Sequence, residues 1–175
     1  MKVRTITQTG LLIALTVVAT LFIRIPNPAT QGYINLGDSM IFTIAVVFGW
    51  RVGGLAGGVG SALADTISGY FLWSPWTLII KGVEGCLVGS LAWWGHRRFS
   101  GWQDQVVSGS AILVGGIWMV LGYYMAGTVL FGSIVALTEI PGNIVQAGVG
   151  LMAALPLSIL LRRALNRSYY GSDAY

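Results

Sequence analysis

The chain has 175 residues, of which 55% are hydrophobic and 9% are charged. A soluble domain usually carries about 25% charged residues, so this composition excludes a soluble globular protein and predicts an integral membrane protein. The net charge of +4 does not indicate nucleic-acid binding, because the basic residues lie at the chain ends and between apolar runs, as topology signals do.

Six apolar runs predict six transmembrane helices, since each span needs about 20 apolar residues. The runs are continuously apolar and do not alternate, which favours helices over a β-barrel. In chain order they cover 6–23, 39–50, 53–72, 76–94, 106–131 and 140–161, and the second gives the weakest signal. The sequence therefore predicts an all-α integral membrane protein, a single six-helix domain over residues 1–175 with a flexible tail at 168–175.

The lysine and arginine residues predict the orientation of these spans. With the N-terminus inside, eight of them are cytoplasmic, namely Lys2, Arg4, Arg51, Arg97, Arg98, Arg162, Arg163 and Arg167. Arg24 alone falls outside and Lys81 lies within a span. The positive-inside rule then places both termini in the cytoplasm. The outer side carries the longest connection, 24–38, which is typical of a functional loop.

Closely spaced glycines open the third span. Small residues at intervals of three and four let helix backbones approach each other in lipid, and Gly54 and Gly58 are predicted to pack in this way. A phosphate-binding loop would end in Lys-Ser/Thr, which this stretch does not. Asp65 follows in the same span, where a structural role is expected, either in packing or as a partner of Lys81. A direct ligand contact is the alternative.

Lys81 and Glu84 are ionisable residues inside the fourth span. One charge at the bilayer centre costs roughly 2.5–3.5 kcal/mol on insertion scales, so two polar groups on one helix face indicate a function. A carboxylate at depth accepts hydrogen bonds from an amine or amidine-like group, which makes Glu84 the leading ligand-contact residue. The alternative is that Lys81 and Glu84 only pair with each other.

The sixth span carries a polar stripe of Glu139, Asn143 and Gln146, spaced four and then three residues apart. This spacing puts all three on one helix face. Amide side chains both donate and accept hydrogen bonds, which suits a heterocyclic solute, although bonding between helices would use them equally well. Aromatic residues near the outer ends are expected in the membrane interface, and the deeper Trp118 could stack on a flat ring.

The sequence has only one cysteine and one histidine, which argues against a metal or cofactor site. Cys86 is the only cysteine, which excludes an internal disulfide or a cysteine-built metal site. His96 is the only histidine, with no acid expected beside it, and is interpreted as a surface residue. Three hypotheses remain, in this order: a binding subunit, an intramembrane enzyme using Glu84 or Asp65, and a small channel or structural subunit.

Four motifs then carry a resemblance to a known family. They are Asn35-Leu-Gly-Asp38, Gly53-Gly-Leu-Ala-Gly-Gly-Val-Gly-Ser-Ala-Leu-Ala-Asp65, Gly69-Tyr70 and Lys81-Gly-Val-Glu84-Gly. Together with the span count, they resemble the S component of an energy-coupling factor (ECF) vitamin transporter, in the branch with hydroxymethylpyrimidine and pyridoxine S components. The resemblance implies a multi-pass plasma-membrane protein of prokaryotic type that captures a vitamin or its precursor from outside and is not an enzyme.

The resemblance also implies partners and site residues. A transmembrane coupling subunit and two cytoplasmic ATPases would supply the energy, and the chain would dock through small residues on its first helix, here Gly10 and Ala14, with Val18 where another small residue is expected. The candidate substrate-binding residues are Glu84, Lys81, Asn143, Gln146, Trp118, Tyr123, Trp76, Asn35, Asp38 and Glu139.

Overall fold

Six long helices make up most of residues 3–170, the part of the chain that the computed structural model describes. In order, the elements are α1 (Val3–Phe22), β1 (Arg24–Asn27), β2 (Gly32–Asn35), α2 (Gly37–Phe48), α3 (Trp50–Ile67), α4 (Ser74–Arg98), α5 (Trp102–Phe131), the one-turn α6 (Ser133–Ala136) and α7 (Glu139–Tyr170). Each predicted span therefore corresponds to one long helix.

Several predicted boundaries differ from the structure, since α4, α5 and α7 extend beyond the predicted spans. The third helix ends at Ile67 and not near Leu72, because the chain turns at Gly69, where φ is +84°. The tail predicted at 168–175 overlaps the end of α7, which continues to Tyr170. The remaining tail residues, 171–175, lie outside the described residues.

The helix surfaces are those of a membrane protein. Within the described chain, three segments are long and apolar enough to cross a membrane, namely Thr5–Phe22, Trp102–Phe131 and Ser133–Leu165. Large apolar side chains such as Leu11, Ile117 and Met152 are more than half exposed, whereas Lys81 and Glu84 are fully buried. This distribution is the one expected when lipid surrounds the bundle and polar residues face its interior.

Glycines bring α3 and α4 into backbone contact. A Cβ atom at Gly57 would lie 2.6 Å from the carbonyl oxygen of Lys81, and one at Gly58 would lie 2.8 Å from that of Leu78. A side chain at either position would therefore push the two helices apart. This contact holds the Lys81 turn of α4 against α3, and Lys81 itself faces the bundle interior.

The connection between α1 and α2 forms a two-stranded β-hairpin, a departure from the purely helical expectation. Arg24 pairs with Asn35 and Asn27 with Gly32 in antiparallel register, and Gln31 in the turn adopts a φ of 53°. The hairpin packs against α1 and α7 and reaches Asp65 near the end of α3, so we refer to this side of the bundle as the hairpin end.

An apolar core fills the bundle on the other side of the buried charges. It contains Phe42, Ala45, Val46, Val88, Ala92, Ala111, Ile112 and Ala154. Phe42 and Val88 approach Gly115 together with the Glu84 side chain, so the core begins directly beside the charges. Apolar packing therefore separates the polar hairpin end from the opposite end of the bundle.

Candidate substrate-binding site

A small polar cavity lies beneath the hairpin. Its volume is about 20 Å³, which is room for about one water molecule. The residues that line it are Thr20, Gly32, Tyr33, Asn35, Ser61, Asp65, Trp73, Thr77, Lys81, Tyr123, Glu139, Asn143 and Gln146. They come from the hairpin and from α1, α3, α4, α5 and α7, so the cavity lies at the point where most of the elements converge.

A buried ion cluster forms the floor of the cavity. The Lys81 ammonium contacts the Asp38 carboxylate and lies 3.0 Å from Glu84 Oε2, and none of the three side chains is more than 2% exposed. The Gln146 amide donates to Asp38 Oδ2 at 2.9 Å. The cluster thereby connects α2, α4 and α7. Lys81 and Glu84 are paired, as in the alternative to the expected ligand contact at Glu84, but Lys81 shares its charge with Asp38 as well.

Several buried polar atoms at this end have no hydrogen-bond partner among the described residues. They are Asp65 Oδ2, both carboxylate oxygens of Glu84 and Asn143 Nδ2. Lys81 is close enough to Glu84 to attract it but is not aligned for a hydrogen bond. Buried polar groups are almost always paired, and leaving one unpaired costs about 1–3 kcal/mol, so Asp65 Oδ2 and Asn143 Nδ2, which line the cavity, are available to a ligand.

The hairpin closes the cavity through hydrogen bonds in both directions, since the Trp73 indole donates to the Thr30 carbonyl at 3.1 Å and the hairpin donates the others. The Tyr33 hydroxyl donates to Asp65 Oδ1 at 2.6 Å, and the backbone N–H of Asn35 donates to Gln146 Oε1 at 2.7 Å. Thr30 and Asn27 both donate to Glu139 Oε1. Burial and the Asp65 carboxylate raise the pKa of the Tyr33 phenol, so its hydroxyl remains a donor at neutral and moderately alkaline pH.

Most of the predicted site residues line this cavity. They are Lys81, Asn143, Gln146, Glu139, Tyr123 and Asn35, joined by Asp65, for which a structural role was expected. No ion pair links Asp65 to Lys81 among the described residues, because Tyr33 takes the partner position.

The other four predicted residues do not line the cavity. Asp38 and Glu84 lie one layer deeper, as the counter-ions of Lys81. The Trp118 indole donates to the carbonyl of Ile80 at 3.0 Å, which holds it against α4. Trp76 packs against an apolar cluster of Trp73, Ile80, Met119 and Ala126.

Sequence reasoning missed several lining residues. Thr20, Ser61 and Thr77 carry hydroxyl groups at buried positions, and Trp73 and Tyr33 were expected only in the membrane interface. The one available signal was the position of the threonines on otherwise apolar helix faces. Tyr123 reaches this group as well, donating to Thr77 Oγ1 at 3.1 Å.

A second ionic cluster lies at the opposite end of the bundle. His96 contacts Asp104, and Arg162 Nη1 lies 2.8 Å from the other oxygen of the same carboxylate. The expectation of a surface histidine without an acid partner was therefore wrong, because the turn between α4 and α5 brings Asp104 back to His96. None of these three residues lines the cavity.

The three predicted docking residues share the exposed side of α1. Ala14 is exposed, Val18 is 60% exposed, and a Cβ atom at Gly10 would meet open space. No described element of this chain covers them.

Comparisons with known proteins agree on one family. The model for the ECF-type riboflavin transporter S component matches residues 1–163. The thiamine precursor transporter HmpT of Lactococcus lactis subsp. cremoris is 31% identical over 163 residues, which cover 93% of this chain and 90% of that protein. An uncharacterized Pyrococcus woesei protein from the gap 3' region is 45% identical over 148 residues, 85% of this chain and 95% of its own length.

The fold comparison gives the same result. A solved S component of a bacterial ECF transporter superposes with a TM-score of 0.65 at 20% identity, covering 95% of this chain and 98% of the other. S components are the substrate-binding subunits of transporters, so the hypothesis of an intramembrane enzyme is dropped. The chain is a membrane-embedded transport subunit that belongs to the family of ECF transporter S components.

Proposed function

We propose that this protein captures a water-soluble vitamin precursor from outside the cell, a hydroxymethylpyrimidine or a pyridoxine-type compound, for uptake by an ECF importer. The observation that carries the proposal is the closed polar cavity beneath the hairpin, with its unpaired buried Asp65 Oδ2 and Asn143 Nδ2. An apolar core lies between this cavity and the opposite end of the bundle, as suits a binding site that does not conduct.

The lining suits a small flat ring. Tyr33, Trp73 and Tyr123 offer aromatic faces, and Asn143 and Gln146 offer amide groups. Because the cavity holds about 20 Å³, any ring enters only when the hairpin moves outward. Riboflavin needs a much larger opening than a single ring does. The relative that transports a thiamine precursor, at 31% identity over most of both chains, supports the smaller cargo.

The proposal also covers the orientation of the protein in the membrane and the subunits with which it assembles. The hairpin end faces outward and the opposite end, which carries Arg51, Arg97 and Arg98, faces the cytoplasm in keeping with the positive-inside rule. A transmembrane coupling subunit docks on the exposed face of α1 that holds Gly10 and Ala14, and two ATPases bound to it supply the energy. Small residues there allow close helix approach.

The test is equilibrium binding to the detergent-purified chain, followed by tryptophan fluorescence. The panel contains hydroxymethylpyrimidine, pyridoxine, thiamine and riboflavin. Saturable binding of one small ring is expected, and Asn143→Ala or Gln146→Ala should weaken it at least tenfold, about 1.4 kcal/mol. Gln105→Ala, at an exposed position on α5, is the matched control and should bind as the wild type does.

Two outcomes would contradict the proposal. One is the absence of binding across the panel by protein whose circular dichroism shows intact helices. The other is binding that Asn143→Ala and Gln146→Ala leave unchanged, which would place the cargo elsewhere on the chain.

A further inference from the structure

We infer that the chain binds an anionic phospholipid at the end of the bundle opposite the hairpin, with the phosphate on Arg51 and Arg97 and an acyl chain in the groove beside them. The groove and the cavity beneath the hairpin share no lining residue, so the inference does not depend on the cargo. It follows from an apolar groove between helices, from arginines without acidic partners, and from the aromatic rings that hold those arginines.

The groove lies between α1, α3 and α4 and has a volume of about 700 Å³. Gly54 and Gly82 bring no side chain to it, and Phe48 and Leu55 supply apolar walls. Along α4 the lining runs from Trp93 to Gly82, which is about 16 Å at 1.5 Å per residue. One leaflet is half of a hydrocarbon core of roughly 30 Å, so the groove accommodates an acyl chain over the depth of a leaflet.

Three arginines lie beside the groove without an acidic partner. Arg51 lines it at the start of α3, and Arg97 and Arg98 end α4. All three are exposed, and among the described residues no carboxylate pairs with them, whereas Arg162 pairs with Asp104. A guanidinium binds phosphate through two parallel hydrogen bonds, and basic pockets between membrane helices bind anionic lipid head groups.

Tryptophan rings hold two of these arginines in place. The guanidinium carbon of Arg51 lies 5.0 Å from the centre of the Trp50 ring, and that of Arg97 lies 4.7 Å from the centre of the Trp93 ring. Stacking of this kind uses the face of the guanidinium and leaves its N–H edge free for a phosphate. Trp93 lines both the groove and a recess of about 310 Å³ that contains Arg97. Since tryptophans sit at the level of lipid head groups, these arginines are at the depth of the phosphates.

A phospholipid suits this surface better than a protein partner does. The groove includes neither Gly10 nor Ala14, which belong to the face proposed for the coupling subunit. A second copy of the chain would offer the arginines no accessible acid, because every aspartate and glutamate in the described residues is buried. An anionic head joined to an apolar chain matches both the arginines and the groove.

Native mass spectrometry of the full, delipidated chain in detergent tests the binding. Palmitoyl-oleoyl phosphatidylglycerol should bind about tenfold more tightly than phosphatidylcholine with the same acyl chains, since only the former carries a net negative charge. The double variant with Arg51→Gln and Arg97→Gln should lose this preference. Arg163→Gln, at an exposed arginine of α7 that lines neither the groove nor the recess, is the matched control and should keep it.

The native thiol tests the location. Cys86 is the only cysteine of the chain and lines the groove, so an acyl chain bound there covers it. At ten times its Kd, phosphatidylglycerol should slow the labelling of Cys86 by N-ethylmaleimide about tenfold, because only the free fraction of the protein reacts. Glycerophosphate, which is the head group without the chains, should leave the labelling rate unchanged.

Four outcomes would overturn the inference. Equal affinity of the wild type for the two lipids would mean that the groove does not select an anion. An equal loss of the preference in Arg163→Gln and in the double variant would reduce the effect to diffuse charge. Unchanged labelling of Cys86 with phosphatidylglycerol bound, or slowing by glycerophosphate alone, would place the lipid elsewhere or make the ligand a free anion. Protection that needs no lipid and increases with protein concentration would assign the groove to a second copy of the chain.

Discussion

The two ionic clusters of this bundle differ in how completely they are paired. The cluster of Lys81, Asp38 and Glu84 beneath the hairpin is at most 2% exposed, and the Glu84 oxygens lack aligned donors. The cluster of His96 and Asp104 at the opposite end is partly exposed. Both oxygens of Asp104 are paired there, one with His96 and the other with Arg162.

This difference separates a structural contact from the proposed binding site. At the opposite end, His96 also contacts the carbonyl of Val46 at 3.1 Å, so one cluster connects α2, α4, α5 and α7 with its groups satisfied. Under the hairpin, unpaired atoms persist around a cavity that has almost no free volume. A partly satisfied buried network is unfavourable by itself, and a ligand that completes it recovers the lost interactions.

The largest expected effect is that of Lys81→Met. This change leaves Asp38 and Glu84 as buried carboxylates without a cation, which costs about 3–5 kcal/mol. The free energy of unfolding, measured by SDS titration, should fall by that amount, and cargo binding should disappear. Arg162→Met removes a cation from the more exposed cluster and should cost about 1 kcal/mol or less. Equal losses of unfolding free energy in Lys81→Met and Arg162→Met would contradict the distinction between the buried cluster and the more exposed one.

A smaller effect is expected for Gln146→Leu. The amide donates to Asp38 and accepts from the backbone of Asn35. Asp38 keeps its contact with Lys81, so the change leaves the Asn35 N–H unpaired, which costs about 1–3 kcal/mol. SDS titration measures the stability, and calorimetry should show weaker cargo binding. Gln105→Leu, on the exposed start of α5, is the control. If Gln146→Leu keeps the stability and the cargo affinity of the wild type, Gln146 is not part of the binding site.

Asp104→Asn tests the structural role of the opposite cluster. It weakens the pairing with His96 and Arg162, both partly solvated, so we expect a loss of about 1 kcal/mol in stability and unchanged cargo affinity. Calorimetry with the wild type as reference measures the affinity. A large loss of affinity at wild-type stability would show that the opposite end takes part in binding.

The smallest expected effect is that of Tyr33→Phe. The variant loses the hydrogen bond from the hairpin to Asp65, so the closed state is less favoured. Because a cargo then competes with a weaker internal contact, its association rate in stopped-flow fluorescence should rise, by no more than about tenfold for one hydrogen bond. A slower association would mean that Tyr33 holds the cargo instead of competing with it.

The six long helices and the polar face of α7 could be predicted from the sequence. Apolar runs of sufficient length gave the six long helices, and the spacing of Glu139, Asn143 and Gln146 gave the polar face of α7, because a helix fixes which residues share a side. The Lys81–Glu84 pair followed from the same rule. These are local relations, within one helix, and need no knowledge of the fold.

Contacts between residues on different helices could not be predicted in this way. Asp38 and Lys81 are 43 residues apart, and their contact depends on how α2 packs against α4. Trp73 lines the cavity because of the turn that precedes α4. The Trp118 indole reaches the carbonyl of Ile80 because that side of α5 packs against α4. The hairpin was expected only as a long loop, since its closure on Asp65 rests on tertiary contacts.

The most direct test of the central claim locks the hairpin in place. A Cβ atom at Gly142 on α7 would lie 3.0 Å from Cγ1 of Ile34 in the hairpin, about the separation of a Cβ atom from the far sulfur of a disulfide. Cysteines at these two positions, with Cys86→Ser to remove the native thiol, are therefore placed to form a disulfide. Cargo binding is then measured by calorimetry before and after reduction. The oxidised protein should not bind and the reduced protein should, because the closed cavity is too small for any ring. Equal binding by the oxidised and reduced protein would contradict the assignment of this cavity as the binding site.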